Sequence, residues 1–198
     1  MRVLLLNPPA KDICLRDYFC SKSTKSNYLY PPIDLVLLSG TLGSEHEVHV
    51  IDALAEELSP AACLDRIGQW APDVVISLVA SVSWEGDRLF LRDVAARGIR
   101  VIGLGDLLQE DAATRLRENP WLEAALHDFS GDDVLHYLAG RSDSSPAMTR
   151  REGAEIALGN IDRGGRRSHK RVSKEAKIKT RQLLRYNVGS CTKRVSRW

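Results

Sequence analysis

The chain opens with a short apolar run, Arg2-Val3-Leu4-Leu5-Leu6-Asn7, which is stopped by two prolines, Pro8 and Pro9. This pattern predicts a buried parallel strand, because prolines lack the backbone N–H group that a continuing strand or helix would use. A second break, Pro31-Pro32, precedes the first helix pattern, so the loop between them covers residues 8–32. Loops this long are uncommon in compact domains, and ligands bind where loops follow parallel strands. The sequence therefore predicts a binding site at the end of its first strand.

Strand and helix patterns alternate over the first 140 residues. They predict an α/β fold, with a doubly wound five-stranded parallel sheet of flavodoxin-like or Rossmann-like type and the strand order 2-1-3-4-5. The predicted strands are Arg2–Asn7, Glu47–Asp52, Asp73–Val79, Arg100–Leu104 and Ala124–His127. The predicted helices are Ile33–Leu42, Pro60–Trp70, Glu85–Ala96, Leu108–Glu118 and Asp132–Ala139, the last capped by Ser130.

The periodic pattern ends at Gly140, and the charge changes sign soon afterwards. Residues 1–149 carry 13 Lys and Arg against 22 Asp and Glu, whereas residues 150–198 carry 15 against 4. A segment with few apolar residues and a high net charge cannot form a core of its own. We therefore predict one domain over residues 1–140, followed by a linker and a basic, poorly structured tail over residues 141–198.

The four cysteines, Cys14, Cys20, Cys63 and Cys191, form no CxxC pair, which is typical of reduced thiols in the cytoplasm. The apolar opening is too short for a signal peptide, and no stretch approaches the ~20 apolar residues of a membrane span. A cytoplasmic protein is expected.

Common ligand motifs of doubly wound domains are missing. The third strand ends in serines rather than in the aspartate of a phosphoacceptor domain, and no GxxxxGK[ST] phosphate loop occurs. The glycine-rich dinucleotide motif is absent after the first strand, and Gly103-Leu104-Gly105 lacks its third glycine because position 108 is Leu. These three ligand classes are therefore not expected.

Small and hydroxylated residues remain at the predicted carboxyl ends of the strands. Such residues let a large flat ligand approach the backbone, and their hydroxyl and N–H groups supply hydrogen bonds. Ordinary loop and cap residues would have the same composition, so chemistry alone leaves both interpretations open. The candidates are Asn7, Pro8, Pro9, Ser77, Ser81, Ser83, Gly103, Gly105, Asp106, Ser130 and Gly131.

Five segments occur in an order and spacing that match a known family. They are Met1–Pro9, Arg16–Lys22, Tyr30–Leu35, His46–Asp52 and Pro72–Ser77. Through these segments, residues 1–140 resemble the N-terminal cobalamin-binding domain of B12-dependent radical S-adenosylmethionine proteins. The resemblance implies a cobalamin-binding module, whose corrin lies over the carboxyl edge of the sheet among the candidate residues and whose nucleotide tail enters a groove beside it.

Two motifs are absent, of which the first is usually absent from the radical S-adenosylmethionine relatives too. The DxHxxG motif of methionine-synthase-like cobalamin domains cannot occur, because residues 1–45 contain no His. The resemblance thus implies cobalt without a protein His ligand. The CxxxCxxC motif that holds a [4Fe–4S] cluster is also missing, since only Cys191 follows Cys63. No iron–sulfur cluster and no catalytic activity of this chain alone are expected, and a separate radical S-adenosylmethionine chain is a candidate partner.

The tail leaves two alternatives. Its net charge of +11 fits weak, non-specific and salt-dependent nucleic-acid binding, although Tyr186 and Trp198 are its only aromatic residues. Alternatively, the tail is an out-of-frame remnant that follows a domain cut off near residue 150. In a further alternative, the domain itself is a degenerate module that binds nothing. Deleting residues 150–198 is expected to abolish nucleic-acid binding and to spare cobalamin binding. No metal site is predicted, because the cysteines form no CxxC pair and the two closest histidines, His46 and His49, flank a predicted strand rather than share a helix face.

Overall fold

The structure is a computed structural model that describes residues 1–16, 22–23, 31–141 and 147–159, with the backbone alone for residues 22–23. Its strands are β1 (Arg2–Asn7), β2 (Cys14–Leu15), β3 (Lys22–Ser23), β4 (Glu47–Asp52), β5 (Val74–Leu78), β6 (Arg100–Leu104), β7 (Leu122–Leu126), β8 (Met148–Glu152) and β9 (Glu155–Ala157). Its helices are α1 (Ile33–Leu42), α2 (Pro60–Trp70), α3 (Trp84–Ala95), α4 (Asp106–Glu118) and α5 (Asp133–Leu138).

The main sheet has the strand order β4-β1-β5-β6-β7-β8-β9. Its first five strands are parallel and follow the predicted order 2-1-3-4-5, so the α/β fold class is confirmed. The register places Asn7 beside Asp52 and Leu6 beside Ser77. The carboxyl ends of β1, β4, β5, β6 and β7 therefore meet along one side of the sheet, which we call the carboxyl edge.

The predicted number of five strands is wrong, because an antiparallel hairpin, β8–β9, adds two more to the edge of β7. Glu152 pairs with Glu155 across a two-residue turn, and Gly153 in that turn has a φ of 62°. Such turns favour glycine because positive φ costs it little. The hairpin lies within residues assigned to the linker and tail. The predicted basic tail over residues 160–198 lies outside the described residues and stays a prediction.

Both faces of the sheet are covered, as a doubly wound fold requires. On one face, Val3 and Leu5 pack against residues of α1 and α5. On the other, Leu4 and Leu6 pack against residues of α2, α3 and α4. All four strand side chains are fully buried, which explains why β1 is apolar at every inner position rather than at every second one.

Two predicted helix starts have different outcomes. The Ser59 side chain accepts a hydrogen bond from the Ala62 N–H group at 3.2 Å, and Pro60 occupies the first position of α2, as predicted. Ser130, by contrast, does not cap α5, whose N-cap is Asp132. The Ser130 N–H and hydroxyl groups both donate to Asp128 Oδ1, at 2.8 and 2.6 Å. Among the described residues, every helix is too short or too polar to cross a membrane.

Candidate functional site

Arg16 is the most connected side chain of the carboxyl edge, and its side chain is fully buried. Its guanidinium group forms two bonds with Asp87 of α3, Nη2 to Oδ1 at 2.7 Å and Nε to Oδ2 at 3.1 Å. Nη1 donates to Asn7 Oδ1 at 2.8 Å and to the Pro8 carbonyl oxygen at 2.9 Å. Arg16 therefore ties the loop after β1 to the start of that loop and to the helix after β5.

Ser83 and the backbone complete the shell around Asp87. The Ser83 hydroxyl donates to Asp87 Oδ2 at 2.7 Å, and it accepts from Arg16 Nε at 3.1 Å. The Ala80 N–H group also donates to Asp87 Oδ2, at 3.4 Å. A buried ion pair is tolerated when hydrogen bonds of this kind satisfy its remaining donors and acceptors.

The same network continues to β4 through Asn7. The Asn7 Nδ2 group donates to Asp52 Oδ1 at 2.8 Å, and the Ala55 N–H group donates to the same oxygen at 3.2 Å. Asp52 is 4% exposed. Burial raises the pKa of Asp52, and this effect is larger than the lowering by its hydrogen bonds from Ala55 and Asn7.

A pocket lies beside this network, where the ends of β1 and β4 face the beginning of α1. It is a small, partly open cavity with a volume of about 40 Å³, and we call it the edge pocket. Its lining residues are Asn7, Cys14, Leu15, Arg16, Pro31, Pro32, Ile33, Asp34, Asp52 and Leu78. Burial raises the pKa of the Cys14 thiol, so that residue acts as an apolar wall of the pocket.

The eleven candidate residues do not form one exposed surface. Asn7, Pro8, Pro9, Ser77, Gly103 and Gly105 are buried, whereas Ser81, Ser83, Asp106, Ser130 and Gly131 are partly or fully exposed. Asn7 is the one candidate that lines the edge pocket. The Ser77 hydroxyl is fully buried and donates to the Leu78 carbonyl oxygen at 3.0 Å, so it is not presented to a ligand.

The two candidate glycines are needed for packing. A Cβ atom at Gly103 would come within 2.5 Å of Leu108 Cδ1, because α4 packs directly on this part of β6. A Cβ atom at Gly105 would overlap the carbonyl oxygen of Val79, and the φ of Gly105 is 148°. Gly105 thus excludes a side chain because the obstacle is backbone, whereas a side chain at Gly103 would require the end of the Leu108 side chain to shift.

The exposed candidates fall into two groups. The Ser81 N–H group donates to Asp106 Oδ1 at 3.2 Å, which joins the turns after β5 and β6. Ser130 and Gly131 follow β7, which lies three strand spacings, or about 14 Å, from β1. The carboxyl edge therefore presents small residues over a distance that suits a wide ligand.

Cys20, Tyr30 and Cys191, which the sequence analysis names, lie outside the described residues. Within residues 1–16, 31–141 and 147–159, no group of three or more His, Cys, Asp or Glu side chains could hold a metal ion. His127 is buried, with Nε2 at 2.7 Å from the Thr149 hydroxyl. Burial lowers the pKa of His127 to about 4.

Sequence reasoning did not assign roles to Arg16, Asp52 and Asp87, the charged residues of the network. Asp52 was visible as an acid at the end of a strand, and Arg16 stands in a segment of the family resemblance. Their pairing carries no periodic signal, since Arg16 and Asp87 are 71 positions apart. Only the fold brings the loop and α3 together.

Comparison with protein-family models and with curated proteins finds no match. A solved structure does match: the radical S-adenosylmethionine methyltransferase TsrM from Kitasatospora setae, with tryptophan substrate and the S-adenosylmethionine analogue aza-SAM bound. The TM-score is 0.58 at 18% sequence identity, and the match covers 78% of this chain and 29% of TsrM. The chain thus shares an α/β fold with part of a radical S-adenosylmethionine methyltransferase.

Proposed function

We propose that this chain is a cobalamin-binding module that holds the corrin over the carboxyl edge. One observation carries the proposal. The segments of the family resemblance are far apart in sequence, yet four of them meet around the edge pocket through Asn7, Arg16, Asp34 and Asp52. A shared set of segments that converges on one place indicates a shared binding site. The fold match to part of TsrM agrees with this proposal.

The edge fits a large flat ligand in part. Ser81, Ser130 and Gly131 are small, partly or fully exposed residues that follow β5 and β7, and Val82 adds an apolar contact surface that is 46% exposed. These residues would hold the corrin, while Asn7 and Gly105 would shape the floor from below. Cobalamin supplies the organocobalt chemistry, and the chain's residues bind, orient and shield it.

The space beside β6 does not provide the groove that the nucleotide tail of cobalamin would need. Leu108 and Leu122 occupy the space beside Gly103, so a tail cannot enter there without moving α4. We therefore place the ligand on the surface of the edge and at the edge pocket, and not beside β6. The proposal concerns binding alone, because the sequence contains no CxxxCxxC motif.

The test is a titration of the full chain with hydroxocobalamin, followed by visible absorption and calorimetry. A single tight site is expected. Ser81→Trp adds a large side chain at the carboxyl edge and should weaken binding, whereas Ser44→Trp, at an exposed position before β4, should not. Absence of binding, or equal affinity of both variants, would contradict the proposal. The Co(II) form should show no nitrogen hyperfine splitting from a protein His.

A further inference from the structure

The edge pocket has a polar floor and an apolar rim. Asn7 and Asp52 form the floor at the paired ends of β1 and β4. Leu15, Pro31, Pro32, Ile33 and Leu78 are the apolar lining residues around it. A few polar groups within an apolar lining are what fixes the orientation of a bound group.

One carboxylate oxygen of Asp52, Oδ2, is available to accept a hydrogen bond from a ligand. Both of its hydrogen bonds, from Asn7 Nδ2 and from the Ala55 N–H group, end on Oδ1. Within the described part of the chain, no donor reaches Oδ2, and Asp52 lines the edge pocket although the residue is only 4% exposed. A ligand donor at this oxygen would add a hydrogen bond that the described residues do not supply.

The charge of the lining selects the kind of ligand group. Arg16 also lines the edge pocket, but its guanidinium group is already bonded to Asp87, Asn7 and Pro8. Asp34 and Asp52 are the acidic lining residues. A phosphate or carboxylate would be repelled here, whereas an uncharged hydrogen-bond donor would be accepted.

We propose that the edge pocket receives a primary carboxamide side chain of the corrin, with its NH₂ group donating to Asp52 Oδ2. This inference rests on the proposed function and names the polar contact within it. The available space supports a substituent rather than a whole macrocycle, because the cavity volume is about 40 Å³, enough for about three water molecules. Asp52 is then a binding residue that distinguishes an amide from an acid.

The experiment compares cobalamin with the set of analogues in which one peripheral carboxamide is hydrolysed to a carboxylate. The full chain should bind at least one of these monoacids about tenfold more weakly than cobalamin, the loss expected for one charge-assisted bond. Asp52→Asn should reduce that difference to about threefold or less, because it removes the repulsion between carboxylates. The asparagine keeps the oxygen that accepts from Asn7 and Ala55. Asp93→Asn, an equal charge change at an exposed position of α3, should leave the difference unchanged.

A second pair of variants tests the place of contact without touching the network. Ile33 is 63% exposed at the rim, and Leu37 is 40% exposed one turn further along α1. Ile33→Trp should weaken cobalamin binding by about tenfold or more, by filling the pocket mouth, and Leu37→Trp should not. If cobalamin binds but no monoacid is disfavoured, or Asp52→Asn leaves the difference in place, the amide contact is wrong and cobalamin binding stands. If cobalamin does not bind at all, both proposals fail.

Discussion

Arg16 and Asp87 form a two-point ion pair with side chains that are 0% and 1% exposed, at 2.7 Å between Nη2 and Oδ1. The pair joins the loop after β1 to α3. Because the pair is dry and its hydrogen bonds are nearly complete, Arg16 is held at the carboxyl edge by a specific contact rather than by apolar packing alone. Residues 8–16 are therefore expected to lose their attachment to α3 when either residue is changed.

Removing one partner of this pair should be strongly destabilising. Asp87→Ala leaves the Arg16 charge buried without its partner, which costs about 3–5 kcal/mol in comparable pairs. Replacing both residues together, Arg16→Met with Asp87→Leu, should recover most of that loss, since no buried charge remains. Urea unfolding of Asp87→Ala and of the double variant measures how much of the lost stability the double variant recovers.

The matched control is the exposed pair of Arg88 and Glu85 on the same helix, at 2.6 Å. Its removal should change the unfolding midpoint little, because solvent screens both groups. Equal effects of the two pairs, or a double variant no more stable than Asp87→Ala, would show that the buried pair does not hold the loop.

Gly105→Ala should destabilise the fold itself. The new methyl group would overlap the Val79 carbonyl oxygen, and a φ of 148° is strained for any residue with a Cβ atom. A loss of about 2 kcal/mol or more in the free energy of unfolding is expected. A bulky residue at Gly105 is therefore expected to destabilise the fold as well as to weaken ligand binding, because Val79 already occupies the space.

Gly86→Ala is the comparison for that variant. Gly86 lies in α3, and a Cβ atom there would meet nothing within 4 Å. This change should be neutral or stabilise by up to about 1 kcal/mol, because alanine has the higher helix propensity. Thermal unfolding of both variants measures this difference in stability. A Gly105→Ala protein as stable as the Gly86→Ala protein would contradict the predicted loss of stability at Gly105.

The extent to which the sequence predicted this fold depends on which residues carry a local signal. β1 and β5 were predicted because buried parallel strands are continuous apolar runs. β8 was missed because Arg150 and Arg151 made it resemble a basic tail, and only Met148 and Thr149 of this strand are buried. A short strand near the border of a sheet needs no apolar alternation when its two neighbours, here β7 and β9, supply the hydrogen bonds.

The candidate site was predicted less completely, for a different physical reason. The sequence placed Asn7 and Ser83 at the carboxyl edge but gave no partner for either. Arg16 Nη1 meets Asn7, and Arg16 Nε meets Ser83, only after the loop has folded back over the sheet. Contacts of this kind form only when segments distant in sequence come together in the folded chain, so a pattern along the sequence does not indicate them.

His127 should make the protein less stable in acid. Burial lowers its pKa to about 4 from the ordinary value of 6.5, so the folded state favours the neutral ring. The stability that this provides is complete above pH 6.5 and is lost as the pH falls towards 4. Over that range the loss is roughly 2–4 kcal/mol, from the linkage between pKa and folding.

His127→Gln removes this titration while keeping a polar side chain near Thr149. The difference in unfolding free energy between the variant and the natural chain should change in favour of the variant as the pH falls from 7.5 to 4.5. Burial lowers the pKa of His49 too, so the difference isolates His127 where a single pH curve would not. A difference that stays constant with pH would exclude His127 as the group responsible.

The boundary of the folded unit should lie after the hairpin β8–β9 and not at residue 140 or 150. A chain ending at Gly159 keeps the hydrogen bond from the Gly159 N–H group to the Thr149 hydroxyl at 2.9 Å, and its stability should match the full chain. A chain ending at Ala147 loses the fully buried Met148 and the partner of His127. It should be less stable by about 3 kcal/mol or more, and the bare edge of β7 should promote association.

Denaturant unfolding and size-exclusion chromatography of the two shortened chains measure both effects. The same proteins separate the alternatives for the basic segment: the chain ending at Gly159 should bind cobalamin as the full chain does, while any salt-dependent binding of duplex DNA should disappear with residues 160–198. If the chain ending at Ala147 is as stable and as monomeric as the chain ending at Gly159, the hairpin is not part of the folded unit. Cobalamin binding that is lost with residues 160–198 would instead place part of the binding site in the basic segment.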